Sequence, residues 1–138
     1  MSIRLFSFPA DFEATLALWQ TAGPGVRVGR SDAPSEIAKK LTRDPDLFLV
    51  AEDAGEIVGA VIGGFDGRRG MIYHLAVAAS HRGRGLGAAL MQELETRLKA
   101  KGCVRAYLFV IPDNTDSLAF YEHHGWQKMT VLPMGKDL

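Results

Sequence analysis

Cysteine is almost missing from this chain: of 138 residues only Cys103 carries a thiol. One cysteine excludes an intrachain disulfide and a cysteine-rich zinc site, and it fits a reducing compartment. Histidines do not combine with acids at metal-ligand spacing, so no catalytic metal is expected. Excess charge is missing as well. Sixteen Lys and Arg balance sixteen Asp and Glu, a formal net charge of zero, so there is no broad positive field of the kind that drives nonspecific nucleic-acid binding. Any anion site has to be local. Long apolar runs are also absent. The longest, Ile57 to Phe65, is broken by Gly59, Gly63 and Gly64 and falls far short of the ~20 residues that cross a bilayer as a helix. Met1 to Phe8 alternates like a strand and meets Pro9 before an apolar block of secretory length has formed. No export signal is expected, and the cytoplasm is the expected location.

What is present is ordinary globular material, 47% hydrophobic and 23% charged, in a length that suits a single domain over residues 1–138 with its own core. Ile3 to Phe8 reads as a strand. Pro9 and Asp11 open a helix with Phe12, Leu16, Leu18 and Trp19 at helical spacing. Gly23 to Pro34 has no period and reads as a loop. Ser35 is expected to cap a short helix carrying Ile37 and Leu41, ended by Asp44-Pro45. Leu47–Glu52 and Glu56–Gly63 form a hairpin around Asp53-Ala54-Gly55, and Met71–Val77 is a central strand. Ala88–Ala100 is a helix, with Leu86, Leu90, Leu94 and Leu98 in one stripe and Gly102 as its stop. Val104–Ile111 follows as a buried strand. Asn114 or Asp113 caps a helix reaching His124, and Trp126–Leu132 supplies a last strand. The fold class is therefore α/β: a mixed sheet flanked by helices, in the order β-α-α-β-β-β-α-β-α-β.

The chemistry concentrates in His81-Arg82-Gly83-Arg84-Gly85-Leu86-Gly87-Ala88, between a strand and an amphipathic helix. Glycines let backbone N–H groups converge, and the helix start adds its own free N–H groups and a positive dipole end, a combination that holds phosphate. Gly83-x-Gly85-x-x-Ala88 fits the dinucleotide pattern literally, but that pattern wants an acid about 20 residues on, and the strand Arg105–Ile111 carries none. A P-loop needs Gly-Lys-Ser or Gly-Lys-Thr, and neither occurs.

These residues resemble the GNAT acetyltransferase superfamily. Arg82-Gly83-Arg84-Gly85-Leu86-Gly87 matches the family's pyrophosphate loop, Arg/Gln-x-x-Gly-x-Gly/Ala, position by position, and Leu75-Ala76-Val77 looks like the strand end that binds pantetheine through its backbone. Asn114 with Ala119-Phe120-Tyr121-Glu122-x-x-Gly125-Trp126 is similar to the family's Asn followed by Phe-Tyr-x-x-x-Gly-Phe. The resemblance implies a GNAT-like fold and transfer of an acetyl group from acetyl-CoA, as cosubstrate, to a primary amine on a small molecule or protein. Leu75, Ala76, Val77, Arg82, Gly83, Arg84, Gly85, Leu86, Gly87, Ala88 and Asn114 would bind the coenzyme. Tyr121 would assist the departing thiolate, since Asn114 and Tyr121 lie two helical turns apart on one face.

The chain departs from the family in its base. Many members place Glu or Asp on a central strand, whereas here Tyr73 and His74 precede Leu75, and Phe109 stands where some relatives carry glutamate. His74 is the candidate base, because histidine is the side chain that ordinarily titrates nearest neutrality. A packed histidine on a central strand and an aromatic core role for Tyr121 are the alternatives. His81, His123 and His124 fit solvated or dipole-stabilising roles. Gly23–Pro34, with Arg27 and Arg30, would shape the acceptor site. Other acyl-CoA donors, or a coenzyme-binding sensor that has lost turnover, are the rival functions. Neither nucleic acid nor membrane is an expected partner, and the oligomeric state is open, a homodimer included.

Overall fold

In a computed structural model the chain, described over residues 1–138, runs β1 (Ser2–Leu5), α1 (Phe12–Gln20), a 3-10 turn (Arg30–Asp32), α2 (Pro34–Arg43), β2 (Phe48–Asp53), β3 (Glu56–Phe65), β4 (Gly70–Val77), a second 3-10 turn (Ala79–His81), α3 (Leu86–Ala100), β5 (Ala106–Tyr107) and α4 (Thr115–His123). One sheet has the order β1-β2-β3-β4-β5. The first three pairings are antiparallel and β4·β5 is parallel. No helix is long and apolar enough to cross a membrane.

Strand side chains alternate between the two faces, and both faces here are covered, so the central strands read as nearly continuous apolar runs. From the β2 region, Leu47, Leu49 and Ala51 join the α3 residues Leu86, Leu90, Met91, Leu94 and Leu98 in one core. Phe48 and Val50 point the other way, into a core built with Phe12, Leu18 and Trp19 of α1 and Ile37 of α2. On the α3 side two glycines of β3 set the packing distance. A methyl at Gly59 would come 2.9 Å from Leu90 Cδ1, and one at Gly63 only 2.6 Å from Leu94 Cδ1. At the N-terminal edge, Arg4 of β1 bonds Asp11 at 2.7 and 3.0 Å and Glu52 at 3.1 Å. Those bonds hold the Asp11 carboxyl below the usual carboxylate range and tie the start of α1 to the sheet.

The observed elements depart from sequence expectation in three places. Helix α2 begins at Pro34 behind Ala33, not at a Ser35 cap, because proline is well placed at the first helical position, where no N–H is needed. The expected strand Val104–Ile111 pairs only through Ala106 and Tyr107, opposite Gly70 and Met71, and leaves Val104 and Phe109 exposed. Residues 126–132 join no ladder. With its neighbour reduced to two paired residues, a last strand has no extended edge to hydrogen-bond against.

Gly63→Ala should therefore be destabilising for a purely steric reason. Gly63 has no left-handed backbone, and the Leu94 side chain that a methyl would strike is fully buried, so it must repack within the core. Urea denaturation should show a lower midpoint at unchanged slope, a loss of about 1–3 kcal/mol.

Candidate active site

Parallel pairing of β4 with β5 ends at Met71 and Tyr107, so from Ile72 to Val77 one edge of β4 has no strand beside it. Unpaired main-chain groups on such an edge accept an extended ligand as though it were another strand. The same stretch is irregular on its other side. Tyr73 pairs with Ile62, but the next partners are Ala76 and Ala60, so His74 and Leu75 together face Val61 alone. This is a β-bulge, which re-aims side chains. His74 has φ +51°, a left-handed conformation uncommon outside glycine. The bulge turns the His74 ring onto Trp19 of α1, edge-on at 5.0 Å between centroids, while Leu75 and Val77 pack toward the α3 core.

At the end of β4 the glycine-rich turn carries the chain into α3. Gly83 and Gly85 have φ +75° and +79°, and Gly85 is the residue immediately before the first turn of α3. No heavy atom lies within 4 Å of where a side chain on either would start. Glycine is thus required by backbone conformation and not by crowding, and the space over the helix N-terminus is open. Arg84 is exposed. Arg82 does more than add charge: its guanidinium donates to the carbonyls of Val77 (3.1 Å) and Ala22 (3.2 Å), clamping the turn to the ends of β4 and α1. Three of its five N–H donors remain for an anion.

His81 is not simply solvated. Its Nε2 lies 2.8 Å from Asp53 Oδ2 and its Nδ1 2.8 Å from Ser80 Oγ. This hydrogen bond holds the Asp53 carboxyl below its ordinary range and pins the glycine turn to the β2–β3 hairpin.

Helix α4 closes the other side. Asn114 caps it, its side-chain oxygen accepting from Ser117 N–H at 3.2 Å. Phe120 reaches the first turn of α3, where a methyl at Gly87 would meet its ring at 3.4 Å. Tyr121 stands edge-on to Phe120 (5.2 Å) and Trp126 (6.2 Å) and packs on the same core as Leu75 and Val77. Its hydroxyl makes no hydrogen bond to protein, yet it is not sealed off from solvent. Burial of the ring pushes the phenol up to about 12.

One residue of the site lies where the sequence shows no period. Asp32, in the loop between α1 and α2, is 6% exposed, and its carboxylate takes His74 Nε2 at 2.9 and 3.0 Å and Gly29 N–H at 3.0 Å. The only sequence cue is a helix-capping residue type just ahead of the Ala33-Pro34 helix start. Nothing in the sequence links it to a histidine 42 residues on. Other residues of the loop go elsewhere. Arg30 pairs with Asp137 at 2.7 Å, Arg27 is exposed, and Gly25 presses on Asn114, where a methyl would come 2.7 Å from Nδ2. Leu75 to Val77, Arg82 to Ala88, Asn114, Tyr121 and His74 are thus gathered around the free edge of β4. Phe109, 70% exposed, is outside the group.

Comparison with known proteins bears on the family and the fold. Residues 12–126 match the model of the acetyltransferase (GNAT) family. The chain is 43% identical over 138 residues to acetyltransferase ECA0875 of Pectobacterium atrosepticum, covering 100% of this chain and 96% of that one. Among solved structures it is similar to Ard1 from Thermoplasma volcanium, with a TM-score of 0.77, 27% identity, and coverage of 90% of this chain and 80% of the other. It also shares its fold with the PaiA N-acetyltransferase from Thermoplasma acidophilum in complex with coenzyme A, with a TM-score of 0.78, 18% identity, and coverage of 95% and 93%. A family model spanning most of the chain, a close full-length relative and a shared fold together show that this chain belongs to the GNAT acetyltransferase family.

Proposed function

We propose that the chain transfers an acetyl group from acetyl-CoA to the nitrogen of a primary amine by direct attack, as a single-domain cytoplasmic enzyme. The observation that carries this reading is the free edge of β4, with an open helix N-terminus at one end and an unpartnered tyrosine hydroxyl beside it. That shape fits a ligand with a pyrophosphate, an amide-bearing arm and a thioester in sequence, and the PaiA relative is described with coenzyme A bound.

The N–H groups from Arg82 to Ala88, at the positive end of α3, hold the pyrophosphate. Leu75 to Val77 offer main-chain groups to the arm as a neighbouring strand would, with Asn114 on the facing helix. Bound there, acetyl-CoA supplies a thioester whose carbon–sulfur bond is exchanged for a carbon–nitrogen bond when an amine attacks. Tyr121 donates a hydrogen bond to the sulfur as it takes up negative charge. Its burial fixes the sign of its pH dependence: the neutral phenol is favoured, so the donor stays protonated until about pH 12. The thiolate, whose thiol has an ordinary pKa of ~8.5, is a weaker base than the phenolate, so Tyr121 stabilises the thiolate by donating while largely keeping its proton. His74 accepts the proton the amine must lose, through Nδ1. That atom makes no hydrogen bond to protein and is not closed off from solvent.

Four measurements test this reading. Acetyl-CoA with a panel of polyamines, amino acids and lysine peptides should release thiol above the hydrolysis background. Tight coenzyme binding with no amine-dependent thiol would instead identify a sensor. Gly85→Val forces a β-branched residue into the left-handed region over the pyrophosphate site and should weaken acetyl-CoA binding by about tenfold or more in calorimetry. Lys99→Ala, on the exposed side of α3, should leave it unchanged. Tyr121→Phe should lower kcat about 10²-fold with acetyl-CoA affinity nearly unchanged. In the native enzyme kcat should show no decline from phenol ionisation between about pH 8 and 10.

A further inference from the structure

The structure assigns Asp32 as the positioning residue of the reaction: it fixes the proton of His74 on Nε2 and so leaves Nδ1 as the basic atom. This deepens the proposed transferase reading and rests on it.

An ionised carboxylate can only accept hydrogen bonds. With both oxygens of Asp32 within 3.0 Å of His74 Nε2, that nitrogen carries hydrogen in either protonation state of the ring, and the lone pair of the neutral ring belongs to Nδ1. Three features show that the pairing is built and not incidental. Asp32 is buried, so its carboxylate is shielded from water that would otherwise compete for it. Its position is set by the turn that leads into α2, through the Gly29 N–H bond at 3.0 Å. The other partner departs from regular strand geometry to reach it: His74 sits in the β4 bulge at φ +51°, and Trp19 backs its ring. An ordinary packed histidine needs neither a bulge nor a buried acid delivered from a different loop. The acid that relatives carry on a central strand is thereby replaced by a histidine on the strand and an acid behind it.

Asparagine at position 32 is the informative change, because it removes the acceptor-only carboxylate from the ring and spares the loop. Its carbonyl oxygen can stand where Oδ2 takes both Gly29 N–H and His74 Nε2, while its amide nitrogen replaces Oδ1 and sets a donor against the same Nε2, so the ring proton is no longer fixed there and the Nδ1–H form, which blocks proton acceptance, becomes populated. Asp32→Asn should therefore melt near the native temperature, keep its acetyl-CoA affinity and lose about tenfold or more in kcat/KM for the amine. His74→Gln should lose at least as much, and the double variant should lose no more than His74→Gln alone, since Asp32 acts only through the ring. Nitrogen-15 spectra of the imidazole, which need no turnover, should show the Nε2–H form in the native protein and a larger share of the Nδ1–H form in Asp32→Asn.

Losses that add fully in the double variant, an unchanged kcat/KM in Asp32→Asn, or an Nδ1–H ring in the native protein would each overturn the assignment. Should Asp32→Asn fail to fold, the native imidazole spectrum still decides. An absence of amine-dependent turnover in the native protein would defeat the transferase reading, while the spectrum would report separately on the pair.

Discussion

Everything in the site depends on β4 losing its neighbour. A central strand that keeps both partners has no main-chain groups to offer, whereas β4 is paired along its length with β3 but with β5 only at Gly70 and Met71. The free stretch is protected by what surrounds it: α3 and α4 meet at Gly87 and Phe120, and the loop after α1 reaches across to Asn114 and to Arg82. An exposed strand edge is ordinarily an aggregation risk. Here it is shortened, flanked by helices and interrupted by a bulge, and those same features leave room for one extended ligand.

Charge is handled just as locally. A chain with no net charge can attract a polyanion only where donors are concentrated. The glycine turn provides this with backbone N–H groups, while Arg82 and Arg84 supply formal charge beside them. The hydrogen bonds of Arg82 to Val77 and Ala22 and of His81 to Asp53 brace the turn at both ends, which limits the ordering cost of binding. At the β4 bulge the logic is different. A buried carboxylate and an imidazole are held together through Nε2, and Nδ1 of the ring is left without a protein partner.

What could be read from the sequence was what short-range physics determines. The Leu86-Leu90-Leu94-Leu98 stripe, the glycines before it, and Asn114 ahead of a helix ending at Gly125 each carry their signal within a turn or two, and each stands where it was expected. Strand boundaries near β5 were less legible, because Val104–Ile111 has strand-like residues but a parallel strand persists only where its neighbour continues beside it. Residues 126–132 fail for the same reason at one remove. The Asp32–His74 contact was invisible for another cause: it joins a loop without periodicity to a bulge that only the pairing of β3 and β4 creates. His81 was legible as a residue near a turn but not as the partner of Asp53, 28 positions earlier.

The central claim, that the free edge of β4 and the glycine turn together form the coenzyme site, is tested most directly by amide spectra of the labelled protein during titration with coenzyme A. Saturable shifts should concentrate in residues 75–88 and around Asn114 to Tyr121. No change there, or changes centred on a separate hollow between α3 and β5, lined by Glu95, Leu98, Cys103 and Ala106, would contradict it.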